Sequence, residues 1–292
     1  MTALSRIKRS LPVLAFLSPW IIGTLTFGII PIIASIYFSF TSYSLGAPPI
    51  WIGLANWKAM LHDPLTWTSL WNSLYFTFVS VPLQLILALI IAIMLNAKVP
   101  FRGGFRTLFY LPTLVPTVAA SILWLSLLNP YSGLINQALG FLHLPQPLWL
   151  QSPNWAMPGL ILMSLWGVGT TIVIYLAGLQ DVPRQLYEQG MIDGAGGFKL
   201  FLHVTIPMIS PVILFNAVIS LIGAMQTFTQ PYLMTQGGPL NSTFLYSMDI
   251  YQNAFEYLNM GYASSLAWFL FLIIMVLTLF ALWISRNAVT YQ

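Results

Sequence analysis

Three observations predict an all-α integral membrane protein with six transmembrane helices. Only 5% of the 292 residues are charged and 58% are hydrophobic, whereas a soluble domain carries about 25% charged residues. The apolar residues gather into six runs, each with the roughly 20 residues needed to cross a bilayer core. Nine of the ten Lys and Arg residues fall in alternate connections between those runs.

In chain order, residues 1–10 form a tail carrying Arg6, Lys8 and Arg9. The apolar run 11–43 is too long for the core of a signal peptide and is read as a retained first span, with Pro19 and Pro31 expected to bend or shorten its helix. A polar and aromatic outer loop with Gly46, Pro48, Pro49, Lys58, Asp63 and Pro64 completes a first segment, 11–70. A core of five spans follows over 71–285. Its second span runs over about 71–96, and a turn with Lys98, Pro100, Arg102 and Arg106 leads to a third over 107–128, with Pro112 and Pro116 near its start. After a Pro/Gly/Asn loop over 129–154, the fourth span covers 155–179 and the fifth 204–229. The connection 180–203 between them bears charge. A loop over 230–260 precedes the sixth span, 262–284, and 286–292 is a short tail.

Six spans place both termini on one side. That side collects Arg6, Lys8, Arg9, Lys98, Arg102, Arg106, Arg184, Lys199 and Arg286, while the other holds Lys58 alone. By the positive-inside rule the termini and the 180–203 loop are cytoplasmic. The net charge of +4 is spread too thinly to form a nucleic-acid-binding patch. With no cysteine the chain has no disulfide, thiolate metal site or Cys nucleophile. His62, His143 and His203 are too far apart in the chain to suggest a metal site.

The stretch 183–198 is the longest charge-bearing interruption between two apolar runs. Pro183 suits a helix start, and Leu186, Tyr187, Met191, Ile192 and Ala195 fall near one side at helical spacing, opposite Arg184, Glu188, Gln189 and Asp193. Gly194, Gly196 and Gly197 then let the chain turn before Pro207. A short amphipathic helix held between spans cannot bury its apolar side alone, so it needs a partner surface.

The same stretch resembles the EAA loop of binding-protein-dependent ABC importers. That loop has a glutamate, two small residues, three more, a glycine, nine residues and an aliphatic-x-aliphatic-Pro ending. Glu188, Gly194, Val204, Ile206 and Pro207 stand at those places, with Gln189 and Gly190 where the family has alanines. Trp51-Ile52-Gly53-Leu54-Ala55-Asn56-Trp57 is similar to an outer-loop segment of sugar-type permeases. Tyr110-Leu111-Pro112 with Pro116 and Trp124, then Asn129-Pro130 and Gly133-Leu134-Ile135-Asn136, resembles their third span and following loop. Thr235-Gln236-Gly237-Gly238-Pro239 resembles their last outer loop. The match is closest to the maltose-transporter-type first membrane subunit, from which the chain departs in having no extra N-terminal spans and no large outer domain.

The resemblance implies the ABC importer permease fold with a cytoplasmic EAA coupling helix, in the plasma (inner) membrane of a prokaryote. It implies four kinds of partner: a second homologous permease, two ATPase subunits, an extracytoplasmic solute-binding protein and a carbohydrate-like solute. Glu188, Gln189, Gly190, Asp193, Gly194 and Ala195 are then the ATPase-coupling residues. ATP and Mg are expected in the partner ATPases, with no cofactor and no enzymatic activity in this chain. The sequence agrees directly, since it has no Gly-x-x-x-x-Gly-Lys-Ser/Thr phosphate loop.

In the fifth span Asn216, Ser220, Gly223, Thr227 and Gln230 recur at offsets of 4, 3, 4 and 3, a small-and-polar stripe on an apolar helix. Polar groups cannot face lipid unsatisfied, so the stripe faces a cavity or packs helices. The functional alternative makes Asn216, Ser220, Gly223, Gln226 and Thr227 a substrate path, with Trp166, Gly167 and Thr170 of the fourth span as the facing wall. By the resemblance, Ser220 and Thr227 fall on sugar-contacting positions. The alternative function is an ion-coupled secondary transporter of a small polar solute, which would usually carry ionisable residues inside its spans. Here all 16 Asp, Glu, Lys and Arg map to loops or span ends, which counts against proton coupling and leaves sodium coupling through backbone carbonyls open. An intramembrane enzyme would need a clustered nucleophile and base, and none is visible.

Overall fold

The computed structural model describes residues 16–97 and 100–286. The N-terminal tail with its three cations, the first residues of the first run, Lys98 and the tail beyond Arg286 lie outside the described residues. The described residues divide into two compact units: those up to Asp63 together with Ile250–Phe269, and those of Pro64–Asp249 together with those from Leu270 onward.

In the first unit, helix α1 (Phe16–Ser39) is long and apolar enough to cross a membrane. Pro31 does not end it. A π-helical turn over Leu25–Ile29 widens the helix just ahead of the proline, and the Ile30 N–H donates to the Leu25 carbonyl. Strands β1 (Thr41–Ser42) and β2 (Ile50–Trp51) pair antiparallel, and helix α2 (Ala55–His62) follows. Asn56 of the outer-loop segment is a structural tie. Its buried amide donates to the carbonyls of Ser39 at 3.1 Å and Thr41 at 2.9 Å. Gly261 crosses the same point, its N–H donating to the Tyr43 carbonyl at 3.0 Å. A Cβ there would strike the Thr41 carbonyl.

The second unit is built on α3 (Pro64–Asn96), a 33-residue helix that begins seven residues before the predicted second span. Its buried face is small or hydroxylated over much of its length: Thr66, Ser69, Ser73, Thr77, Ser80, Ala88 and Ala92. Such residues let helix backbones approach closely in a membrane, where lipid supplies no hydrophobic drive for association. α3 packs against α7 (Pro153–Trp166), α8 (Gly169–Asp181) and α10 (Ile206–Met225). One apolar cluster around Phe76, Trp124, Met157 and Leu160 and another around Ala88, Leu95, Tyr175, Leu179 and Ile209 form its core.

Three helices predicted as continuous are broken. The third span is two helices, α4 (Arg102–Leu114) and α5 (Thr117–Leu127), bent by 99° at Val115–Pro116. Pro116 has no N–H to continue the ladder, and Val115 before it is driven into an extended conformation (ψ 124°). The fourth span is α7 and α8, bent by 48° at Gly167–Val168. The fifth stops at Met225, and a short helix α11 (Thr229–Met234) continues it after a break. Among the described residues, and including α13 (Met260–Ser285), four helical stretches are long and apolar enough to span a bilayer, or six with each bent pair as one crossing.

Between these elements the loops are pinned by polar side chains. In 129–152, which includes helix α6 (Leu134–Phe141), the buried Asn136 donates to the carbonyls of Pro130 at 2.9 Å and Pro147 at 3.0 Å and accepts from Trp149 Nε1 at 2.7 Å. The Thr235–Pro239 motif folds back on Thr243 and is strapped to α3. Asn72 donates to the carbonyls of Asn241 at 2.7 Å and Phe244 at 3.1 Å, and Ser73 Oγ accepts from the Tyr246 N–H at 2.8 Å. Asp249, read as a loop residue, lies 1% exposed in helix α12 (Tyr246–Tyr251), and Thr66 Oγ1 donates to it at 3.2 Å.

Candidate functional site: a polar cavity at the helix breaks and an exposed helix

A cavity of about 400 Å3 opens in the second unit, and a residue at each of the three breaks lines it: Val115, Gly167 and Thr227. Irregular backbone is tolerated at membrane depth where it lines a cavity or is buried in protein, because its freed polar groups need water or a partner. α3 contributes Phe76 and Gln84, α4 contributes Pro112 and Thr113, and α5 contributes Thr117 and Ala120. From α7 come Met163, Ser164 and Trp166, from α8 Thr170, and from α10 and α11 Ser220, Gly223, Ala224 and Gln230. Among the described residues no Asp, Glu, Lys, Arg or His lines it.

Of the proposed substrate-path residues, Trp166, Gly167, Thr170, Ser220, Gly223 and Thr227 meet at this cavity. Asn216 and Gln226 do not. Asn216 is buried and donates to its own helix at the Val212 carbonyl, 3.0 Å away. Gln226 sits in the break after Met225, exposed and outside the cavity lining. The stripe is therefore no single helical line: Ser220 and Gly223 belong to α10, while Thr227 and Gln230 are carried beyond its end. The sequence reading did not single out Gln84, Thr113 or Thr117. For Gln84 the signal was present, a lone carboxamide in an apolar run.

Gly169 fixes the wall where α8 crosses α4. A Cβ there would lie 2.6 Å from the Phe109 carbonyl oxygen and 2.8 Å from Thr113 Cγ2. Trp166 stands edge-on to Trp124, ring centres 6.3 Å apart, and also lines an apolar pocket with Leu87, Ile91, Leu108 and Phe109.

The amphipathic stretch forms helix α9 (Arg184–Ile192). It ends in a Schellman motif: the Gly194 N–H donates to the Met191 carbonyl at 3.1 Å and the Ala195 N–H to Gly190 at 2.9 Å, with Gly194 at φ +75°. Gly190, in place of a family alanine, has Leu200 against it, since a Cβ there would come 2.5 Å from Leu200 Cδ2. Tyr187 anchors the helix, packing on the core cluster and meeting Thr205 at 3.0 Å. Glu188, Gln189, Asp193 and Gly194 are exposed, and Ala195 is half-buried. Ile192 is 85% and Phe198 74% exposed, with Met191 also uncovered. Thr205 closes a second π-helical turn, Phe201–Thr205, placed ahead of Pro207 as the first is ahead of Pro31. Nearby Arg102 donates to the Leu95 carbonyl at 2.6 Å, a cation on the last turn of α3. Among the described residues no three His, Asp or Glu side chains gather as metal ligands.

A polar cavity framed by broken membrane helices, together with a protruding helix whose apolar end lacks cover, defines a transport permease. The chain belongs to the family of binding-protein-dependent transport system inner membrane components, which matches residues 66–289. It is 41% identical over 290 residues to the probable ABC transporter permease protein YesP of Bacillus subtilis, covering 98% of this chain and 94% of that protein. It is 34% identical over 278 residues to the lactose transport system permease protein LacF of Rhizobium radiobacter, covering 93% of each. A chain in the crystal structure of a bacterial alginate ABC transporter, in complex with an alginate pentasaccharide-bound periplasmic protein, matches with TM-score 0.85 at 25% identity, covering 98% of this chain and 97% of that one. The protein is a multi-pass translocation subunit of an ABC importer and is not itself the catalytic subunit.

Proposed function

We propose that this chain forms one wall of the path for a carbohydrate, in a prokaryotic plasma membrane, with both termini and α9 in the cytoplasm. A second homologous permease supplies the facing wall. An extracytoplasmic binding protein delivers the solute, and two ATPase subunits bind the ATP and Mg. The observation that carries the reading is the cavity at the helix breaks, where Ser220, Thr227, Thr170 and the Trp166 ring come together. Hydroxyls and amides match a sugar's hydroxyl groups, and a flat ring matches its apolar C–H face. Relatives named for lactose and arabinooligosaccharide transport support the solute class.

The exposed end of α9 supports the docking role. Met191, Ile192 and Phe198 leave apolar surface uncovered beside Glu188 and Asp193, the arrangement of an apolar contact with a charged rim. Tyr187 and its bond to Thr205 carry movement of α9 into the start of α10, whose far end lines the cavity.

The test is uptake of radiolabelled neutral sugars by the complete importer in proteoliposomes. Uptake is expected to require the ATPase subunits. Ser220→Leu or Thr227→Leu should lower it about tenfold, the effect of one or two lost hydrogen bonds and a blocked path, while basal ATP hydrolysis persists. Uptake independent of the ATPases, or unchanged in both variants, would overturn the reading.

A further inference from the structure

Between Val81 and Leu95 helix α3 carries one polar side chain, Gln84. A carboxamide in that setting is costly unless water or a partner satisfies it. Gln84 lines the cavity, and the described residues give it no hydrogen-bond partner; the same holds for Gln230, Thr170 and Ser220. Four groups around one cavity thus keep their donors and acceptors for whatever enters.

Among the described residues the lining also lacks charge. Against this wall a carboxylate or phosphate would shed hydration with no cation of this chain to replace the lost water. A polyhydroxyl solute exchanges its water for amides and hydroxyls at little cost, with Trp166, Pro112 and Val115 as the apolar surface.

We propose that Gln84 is a solute-contacting, specificity-determining residue. Its amide, with Gln230, Thr170 and Ser220, selects an uncharged polyhydroxyl solute over an anionic one of the same size. This rests on the carbohydrate reading above and names the class within it.

The complete importer in proteoliposomes tests it with two probes: a panel of neutral mono- and disaccharides, and digalacturonate as an anionic disaccharide. The wild type is expected to accumulate a neutral sugar and not digalacturonate. Gln84→Met, which keeps the side-chain shape and removes its hydrogen bonds, should lower sugar moved per ATP hydrolysed about tenfold. Binding-protein-stimulated hydrolysis and recovery of the assembled complex should be unchanged, and Gln84→Asn should restore part of the transport. A purely packing role predicts that Gln84→Met transports normally, and that result overturns the proposal, as does comparable wild-type uptake of digalacturonate. A wild type that moves none of the probes overturns the carbohydrate reading itself, and is told apart because it fails before any substitution. Should Gln84→Met not assemble, Gln84→Asn and Gln84→Glu decide: equal transport per ATP in both overturns the proposal, and loss in Gln84→Glu with retention in Gln84→Asn supports it.

Discussion

The hydroxyl of Tyr187 lies 3.0 Å from Oγ1 of Thr205, joining the middle of the exposed helix α9 to the last residue of the π-helical turn that opens α10. Tyr187 is half-buried on the apolar cluster of Leu95, Leu179 and Ile209, so the bond sits where α9 meets the ends of α3, α8 and α10. It joins an exposed surface to the helix that reaches the cavity.

Replacing both partners tests that link. In a double-mutant cycle with Tyr187→Phe and Thr205→Val, the coupling energy for unfolding in detergent should be about 0.5–1.5 kcal/mol. Both single variants should retain the ATPase subunits and transport less solute per ATP. A coupling energy near zero with unchanged transport would leave the bond without a mechanical role.

Gly194 holds φ +75°, a backbone conformation in which a Cβ is strained, and its N–H caps Met191. Gly194→Ala should destabilise the end of α9 by about 1 kcal/mol. Gly194→Pro should do more, because proline fixes φ near −65° and removes the capping donor. Its product should insert normally and lose ATPase association and uptake together. Normal co-purification of the ATPases with Gly194→Pro would show that the shape of this helix end is not what they recognise.

Gly169 predicts a stability effect far from the charged loop. Gly169→Ala would drive a methyl group into the Phe109 carbonyl, so α8 and α4 must part. Overpacking of this kind costs about 1–3 kcal/mol. The measurable result is a lower unfolding midpoint in detergent, accompanied by reduced uptake because α4 and α8 are two walls of the cavity. Gly178→Ala offers a milder comparison, since its nearest neighbour is the side chain of Val212 rather than backbone.

Much of the architecture is legible in the sequence. Hydropathy marks the spans because a bilayer requires long apolar segments, whatever packs against them. Helix α9 was legible from its spacing and its end from the glycines at 194, 196 and 197, although it stops at Ile192 and leaves Ala195, read as part of its apolar side, beyond the end. The breaks were not. Pro19, Pro31, Pro112, Pro116 and Pro207 all stand in or at the edge of apolar runs, yet α1 widens around Pro31 while the chain turns through 99° beside Pro116. The difference is in the local backbone: a π-helical turn ahead of Pro31 keeps the helix continuous, whereas Val115 goes extended before Pro116.

The sequence by itself determined a multi-span helical membrane protein with a short amphipathic helix between two spans, because hydropathy and helical spacing are properties of the chain alone. Only the tertiary structure decided which polar residues meet. Ser220 and Thr227 share the cavity, but Asn216, one turn before Ser220, bonds to its own helix, and Gln226, in the break after Met225, is exposed outside the lining. Gln84 joins them from a helix more than 130 positions earlier than Ser220 in the chain. Helical spacing shows which residues share a face; the rotation and breaks of each helix, set by close packing at points such as Gly169 and Gly178, decide what that face meets.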